Sequence, residues 1–119
     1  MIPPKEHQIY HLLHQLGADT NYTGFFQTAY AVSLALEDPY RLRLVTKWLY
    51  PDVATHYHTN WKAVEYNIRK TITIIWDVSP ELLTTIAQHP LPKKPRPAQF
   101  LSILTAHLST DVPDSNYHS

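Results

Sequence analysis

The fold is decided by a stretch in the middle of the chain, residues 46–76, which reads TKWLYPDVATHYHTNWKAVEYNIRKTITIIW. Apolar residues recur in it at the spacing of about 3.6 residues that gives a helix one apolar face. They form one group before a polar interruption and one after it: Val53, Ala54 and Tyr57, then Val64, Ile68, Ile72, Ile75 and Trp76. The pattern predicts a short helix, a tight turn and a longer helix, with both apolar faces packed on one core.

The polar interruption, His58-Thr59-Asn60, suits the start of the second helix. A side-chain oxygen of Asn60 or Thr59 can accept a hydrogen bond from a free amide of the next turn. Pro51 suits the first turn of the preceding helix, where no amide hydrogen is needed. This layout is typical of a helix-turn-helix, whose second helix enters the major groove of DNA.

The composition predicts a single all-α domain. The 119 residues are enough for one core and too few for two. Two glycines and few alternating apolar runs argue against a sheet-rich fold. The chain has no cysteine, its first residues (MIPPKEH) do not resemble a signal peptide, and no apolar run approaches the roughly 20 residues that span a bilayer. We therefore expect a cytoplasmic protein outside the membrane.

The formal charge is zero, but the charges are unevenly distributed. Residues 41–96 hold nine Lys and Arg and four acids, whereas residues 1–40 hold one Lys and four acids and residues 97–119 hold two acids. A basic centre between acidic ends can orient a domain on an anionic partner. Ordinary surface scatter explains the same counts equally well.

Further helices are predicted on both sides of the central stretch, giving a compact bundle of about six. We expect the chain to be ordered over about residues 5–109 and frayed over 110–119. Gly17 is expected to end the first helix, Gly24 to permit close helix approach, and Ser79 to cap a helix that starts at Pro80. The wide apolar stripe of the last helix leaves room for a partner. The predicted flanking helices cover residues 5–16, about 22–36, 41–49, 80–87 and 98–109, and residues 89–97 form a proline-rich connector.

The outward side of the longer central helix holds the candidate DNA-contacting residues. Lysine and arginine suit phosphates or guanine, asparagine can pair with adenine, and aromatic rings can contact thymine methyl groups or sugars. The alternative interpretation is a solvated charged face, as on most amphipathic helices. The same two interpretations, phosphate contacts or a solvated face, apply to Arg41, Arg43 and Lys47. The candidate residues are Asn60, Trp61, Lys62, Glu65, Tyr66, Asn67, Arg69 and Lys70.

A metal site and an enzyme active site are the two other kinds of site to consider in this sequence. His7, His11 and His14 share one face of the first helix, and imidazoles one turn apart can bind zinc, but an exposed polar face explains them more simply. No glycine-rich phosphate loop, cysteine nucleophile or Ser-His-acid arrangement is present. We therefore expect no enzyme, no cofactor and no metal.

Several motifs occur together over nearly the whole chain: Leu16-Gly17, Gly24, the run TKWLYPDVA at residues 46–54, Val64-Glu65, Ile68-Arg69, Trp76 and Pro97 through Phe100. This combination resembles the DNA-binding effector domain of the sporulation master response regulator of endospore-forming bacteria. The resemblance implies a six-helix domain that binds short promoter boxes, often in tandem, and touches RNA polymerase.

The chain departs from the family pattern in two ways. The family domain normally follows a phosphorylatable receiver, for which these 119 residues leave no room, so we expect either no control by phosphorylation within the chain or a fragment. The family also carries arginines where this chain has Ala63 and Tyr66. Each good bidentate base contact contributes about 1–3 kcal/mol of discrimination, so we expect altered base readout.

Two functions of different classes follow. The first is a transcriptional regulator that binds double-stranded DNA. The second is an interaction module that kept the fold and binds a homologous regulator or RNA polymerase instead of DNA. A homodimer through the last helix is compatible with either function.

Overall fold

The computed structural model describes residues 4–110, and this part of the chain contains helices and turns only. The prediction of an all-α fold is therefore confirmed. The predicted frayed tail falls almost entirely on residues 111–119, which lie outside the described residues. The helices are α1 (Pro4–Gln15), α2 (Thr23–Glu37), a 3₁₀ helix (Pro39–Arg43), α3 (Val45–Trp48), α4 (Tyr50–His56), α5 (Trp61–Val78), α6 (Pro80–Ala87) and α7 (Pro97–Thr110).

Helix α2 lies at the centre of the bundle, in contact with α1, α4, α5 and α7. Its sequence is apolar on most sides, as expected of a helix surrounded by others. The side chains that fill the core come from every long helix, and the largest fully buried ones are Phe25, Tyr50, Phe100, Ile9, Leu13, Leu16, Leu49, Ile68, Ile72, Ile75, Leu83 and Leu101.

Both glycines have the structural roles that the sequence predicts. Gly17 follows α1 with a φ of +107°, a conformation that other residues rarely adopt, and the helix ends there. Gly24 lies where α2 crosses α5, and a Cβ atom at this position would overlap the backbone carbonyl of Asn67 and the hydroxyl of Thr71. The absence of a side chain thus sets the distance between α2 and α5.

The predicted helix over residues 41–49 is divided in the structure. A 3₁₀ helix ends at Arg43, Leu44 has a non-helical backbone (φ −151°, ψ 76°), and α3 follows as a single turn. Asp38 caps the 3₁₀ helix through a hydrogen bond from the Tyr40 amide. The prediction of one continuous helix here is wrong, because the apolar spacing of a region this short fits two successive turns equally well.

Helices α4 and α5 are joined by a tight turn over residues 57–60. His58 adopts a left-handed conformation (φ 57°), and the Thr59 amide donates to the Ala54 carbonyl at 2.9 Å, which closes α4. The Asn60 side chain then accepts a hydrogen bond of 2.9 Å from the Ala63 amide. Of the two predicted candidates for the cap, Asn60 and Thr59, the structure has Asn60 in this role.

The later helices begin and end close to the predicted residues and differ from the prediction in two details. Ser79 precedes α6 as expected, but its side chain makes no capping hydrogen bond, and its carbonyl instead accepts from the Leu83 amide at 3.0 Å. The stripe of α7 was expected to leave room for a partner, yet all of its large apolar residues lie in the core: Phe100, Leu101, Ile103, Leu104 and Leu108. No helix among residues 4–110 combines the length and apolar character needed to cross a membrane.

Candidate nucleic-acid interface

The two sides of α5 differ sharply in burial. Val64, Ile68 and Ile75 are buried against the other helices, whereas the opposite side faces solvent. This separation follows directly from the apolar spacing of the sequence. Most of the predicted candidates lie on or beside the solvent-facing side, and Asn60, Trp61, Lys62, Tyr66, Arg69 and Lys70 are exposed.

Lysines and aromatic rings are paired along this side of α5. The Lys62 ammonium lies 5.8 Å from the centre of the Trp61 ring, and the Lys70 ammonium lies 5.7 Å from the centre of the Tyr66 ring. Both distances fall within the roughly 6 Å reach of a cation–π interaction. Tyr66 keeps 61% of its surface exposed, so its ring supports a lysine and still presents a flat apolar face.

Arg69 forms an ion pair with Glu65, one turn earlier on α5. Its Nη2 and Nε atoms donate to the same carboxylate oxygen at 2.9 Å and 3.3 Å. Exposed pairs of this kind contribute about 0.3–0.5 kcal/mol. Breaking this pair therefore costs little free energy, and the Arg69 guanidinium is available to a phosphate group. In the absence of such a group, Glu65 holds the guanidinium in place.

Asn67 differs from the other candidates, because its side chain is half-buried and faces α2. Its amide nitrogen donates to the Oε1 atom of Gln27 at 3.0 Å, and Gln27 is itself buried. This hydrogen bond ties α5 to α2 beside the close approach at Gly24. The side-chain amide of Asn67 thus has its hydrogen-bond partner, Gln27, within the domain.

Lys94 is a neighbour of this surface that the sequence analysis missed. It lies in the proline-rich connector, and its ammonium donates to the Thr73 hydroxyl of α5 at 2.9 Å. Together with Arg69 it borders a shallow depression of the surface. The cations and prolines of the connector were visible in the sequence, but their position against α5 depends on a contact across 21 residues.

The cations before α4 have different partners. Arg41 is half-buried, and its Nη1 atom donates to the Trp48 carbonyl at 3.1 Å and to the Asp52 carboxylate. Arg43 lies over the Tyr40 ring at 5.3 Å, and Lys47 is exposed. Arg41 therefore holds the 3₁₀ helix to α4, and only the other two of these three cations remain exposed.

The histidines of α1 are exposed, and the His14 ring contacts the Phe25 ring at a centroid distance of 5.1 Å. Across residues 4–110 no three histidines or acids lie close enough together to hold a metal ion. The geometry of α1 thus offers nothing in favour of the zinc interpretation.

A helical domain that presents a basic helix with interleaved aromatic rings has the features of a nucleic-acid-binding protein. Residues 9–108 of the chain match the family described as sporulation initiation factor Spo0A, C terminal. The chain therefore belongs to this family of DNA-binding transcriptional effector domains, which are not enzymes. The match confirms the resemblance to the sporulation regulator that the motifs carry.

Proposed function

We propose that α4 and α5 act as a helix-turn-helix and that the exposed side of α5 binds promoter DNA in the major groove. Lys62, Arg69 and Lys70 contact phosphates or guanine, and Trp61 and Tyr66 contact sugars or thymine methyl groups. The observation that carries the proposal is the exposed row of cations and aromatic rings on a helix whose other side is buried. A regulator of transcription acts where the chromosome is, so we propose a cytoplasmic location.

Lys94 extends the cationic surface beyond α5. Its hydrogen bond to Thr73 keeps an ammonium beside Arg69, where it can reach the phosphate backbone next to the groove. Asn60 occupies the start of α5 and caps it, so its main contribution is to fix the direction in which the helix enters the groove. Asn67 contributes to the packing of α5 on α2, which holds the helix in position.

We also propose that base readout differs from the usual preference of the family. The resemblance implies arginines at the positions of Ala63 and Tyr66, and neither residue can form a bidentate fork to guanine. Ala63 is half-buried, whereas Tyr66 is exposed and offers a ring in place of a guanidinium. We expect a preference for thymine-containing steps at the position that Tyr66 faces.

Selection of binding sites from random double-stranded DNA tests the proposal. We expect enrichment of a short motif at low salt, with a sequence that changes when Tyr66→Arg restores the family residue. The double variant Arg69→Ala with Lys70→Ala is expected to weaken binding of the enriched site about tenfold and to reduce the salt slope by about 0.9 for each lost phosphate contact.

A matched control removes Lys5, an exposed cation of α1. We expect its affinity to stay within about twofold of the unchanged protein, since distant exposed charges are largely screened beyond about 10 Å. A loss in the Lys5→Ala variant equal to that of the double variant would assign the binding to overall charge instead of α5. No enriched motif at any salt concentration would reject DNA recognition by this chain alone.

A protein interaction is the second candidate function, and one observation favours it. The 3₁₀ helix and the residues after it expose three large apolar side chains: Tyr40 (66%), Leu44 (44%) and Trp48 (45%). Tyr40 and Trp48 border an open groove of about 500 Å³ together with Arg41, Lys47 and acidic side chains. We propose this groove as the contact for RNA polymerase or a homologous regulator, tested by whether Trp48→Ala abolishes transcription activation while DNA affinity is unchanged.

A further inference from the structure

A second cavity lies between α1, α2 and the end of α4, and it is lined mostly by aromatic rings. Its volume is about 150 Å³, below the roughly 300–1,000 Å³ of pockets that bury drug-sized ligands. The cavity can therefore admit a small group but not a large molecule. Its chemistry comes from six side chains: Glu6, Tyr10, Phe26, Tyr30, His56 and Tyr57.

The rings of this cavity are held at fixed angles to one another. Tyr30 and His56 stack face to face at a centroid distance of 4.1 Å, and Tyr57 stands edge-on to Tyr30 at 5.9 Å. Tyr10 and Phe26 also meet edge-on, at 5.7 Å. The Tyr57 hydroxyl donates to the Phe26 carbonyl at 3.1 Å, which joins the two groups of rings. The walls are thus preorganised ring faces and edges.

A carboxylate completes the lining. Glu6 is half-buried, and it forms no ion pair with any residue of the described part of the chain. Its charge reaches the cavity, because it helps to raise the pKa of Tyr10, where burial is the larger cause. The pKa of Tyr57 is also raised, mainly by burial, and Tyr10, Tyr30 and Glu6 add to this increase. Glu6 thus supplies a negative charge within electrostatic reach of the tyrosines that line the cavity.

Several aromatic rings around a small space, with one carboxylate, match the recognition of an organic cation. The faces of aromatic rings attract cations through their quadrupole, and cages of this composition bind quaternary ammonium groups. A cation of this kind is weakly hydrated and keeps an apolar outer surface, so it also suits the apolar parts of the rings. A neutral group of the same shape gains the apolar contacts only.

We propose that this cavity binds a trimethylammonium group, carried either by a small molecule or by a methylated lysine side chain. Tyr30 and Tyr57 supply ring contacts, and Glu6 supplies the counter-charge. The cavity is formed without α5, so the inference does not depend on the proposed DNA interface.

Titration of isotope-labelled protein with choline, followed by nuclear magnetic resonance at pH 8, tests the proposal. We expect saturable shifts confined to the residues of the cavity. The neutral isostere 3,3-dimethylbutan-1-ol is expected to bind at least about fivefold more weakly, since it lacks the cation–π attraction. A peptide with trimethyl-lysine is compared with choline, and tighter binding of the peptide identifies a protein side chain as the source.

Three variants make the result specific. Glu6→Gln keeps the shape of the side chain and removes its charge, and Tyr30→Ala removes one wall; each is expected to weaken choline binding about fivefold or more. Tyr22→Ala, at an exposed tyrosine outside the cavity, is the matched control and is expected to leave the affinity unchanged. Equal binding of choline and its isostere, an unchanged affinity in Glu6→Gln, or the absence of localised shifts would overturn the proposal.

Discussion

Gly24 is the residue on which the position of α5 most directly depends. It is buried where α2 crosses α5, against the backbone of Asn67 and the side chain of Thr71. Backbone atoms cannot move aside as the end of a flexible side chain can. We predict that Gly24→Ala lowers the free energy of unfolding by about 1–3 kcal/mol, the usual cost of overpacking. Urea denaturation measures this change.

Thr23→Ala is the matched control for that measurement, because Thr23 is the exposed neighbour of Gly24 in the same helix turn. Its effect is expected to stay within about 0.5 kcal/mol. Equal stabilities of the two variants would contradict the close approach of α2 and α5. If Gly24→Ala folds but binds DNA more weakly, the spacing of these helices also positions the α5 surface.

Tyr50 gives a prediction about pH. Its side chain is fully buried, and its hydroxyl has no hydrogen-bond partner among residues 4–110. Burial, helped by Glu65 and opposed by Arg69, raises the pKa of Tyr50 from 10.0 to about 12. The unfolded chain therefore loses this proton first. Its contribution to stability is complete below pH 10 and decreases between pH 10 and 12, with a slope of up to about 1.4 kcal/mol per pH unit.

Tyr50→Phe removes the ionisable group and should flatten this decrease. At neutral pH we expect the variant to match or exceed the original stability, because an unsatisfied buried hydroxyl costs about 1–3 kcal/mol. Chemical denaturation at pH 7, 10 and 11 provides the comparison. Tyr57 also has a pKa raised to about 12, so part of the alkaline decrease persists in the variant. An unchanged slope would show that Tyr50 contributes nothing to it.

At the level of elements, the cap of α5 connects the turn to the helix that it introduces. The Asn60 side chain accepts a hydrogen bond from an amide of the first turn that would otherwise have no partner. This bond fixes the start of α5 and therefore its direction. We predict that Asn60→Ala destabilises the domain by about 1 kcal/mol, whereas Asn60→Asp, which can still accept the hydrogen bond, changes it little. Thermal unfolding distinguishes the two variants. Equal losses would show that the side-chain oxygen is not responsible.

The elements that the sequence predicted well are those with long periodic patterns. Helix α5 extends over 18 residues, so its apolar spacing admits only one interpretation, and the cap at Asn60 marks its start. The break at Leu44 has no such signal, and the contacts of Arg41 that span it join residues seven and eleven positions apart, Trp48 and Asp52. The spacing of apolar residues within one element does not predict which residues of another element it contacts.

The same limit applies to the candidate site. The exposed side of α5 was predictable, because it is the complement of the apolar side. The partners of Asn67 and Lys94 were not, because they lie 40 and 21 residues away in sequence. The aromatic cavity was equally hidden, since it joins residues of three helices that no local pattern connects.

At the scale of the whole molecule, the net charge and the local charges have different effects on DNA binding. The formal net charge is zero, so the domain as a whole has no strong attraction for DNA. The cations beside α5 are few, and Arg69 shares its charge with Glu65. Binding should therefore depend on a small number of local contacts. This arrangement favours sites with good base contacts over non-specific binding.

The salt dependence of DNA binding measures how many of those contacts form. If Lys62, Arg69, Lys70 and Lys94 each neutralise one phosphate, the logarithm of the binding constant should fall with the logarithm of salt concentration with a slope of about −3.6. Fluorescence anisotropy with a labelled duplex at several salt concentrations gives this slope. Lys94→Ala should reduce its magnitude by about 0.9, because one counterion fewer is released. A slope near −8 would require phosphate contacts from other surfaces. A slope near zero would show that α5 and the connector do not contact phosphates, and it would favour the protein-interaction function.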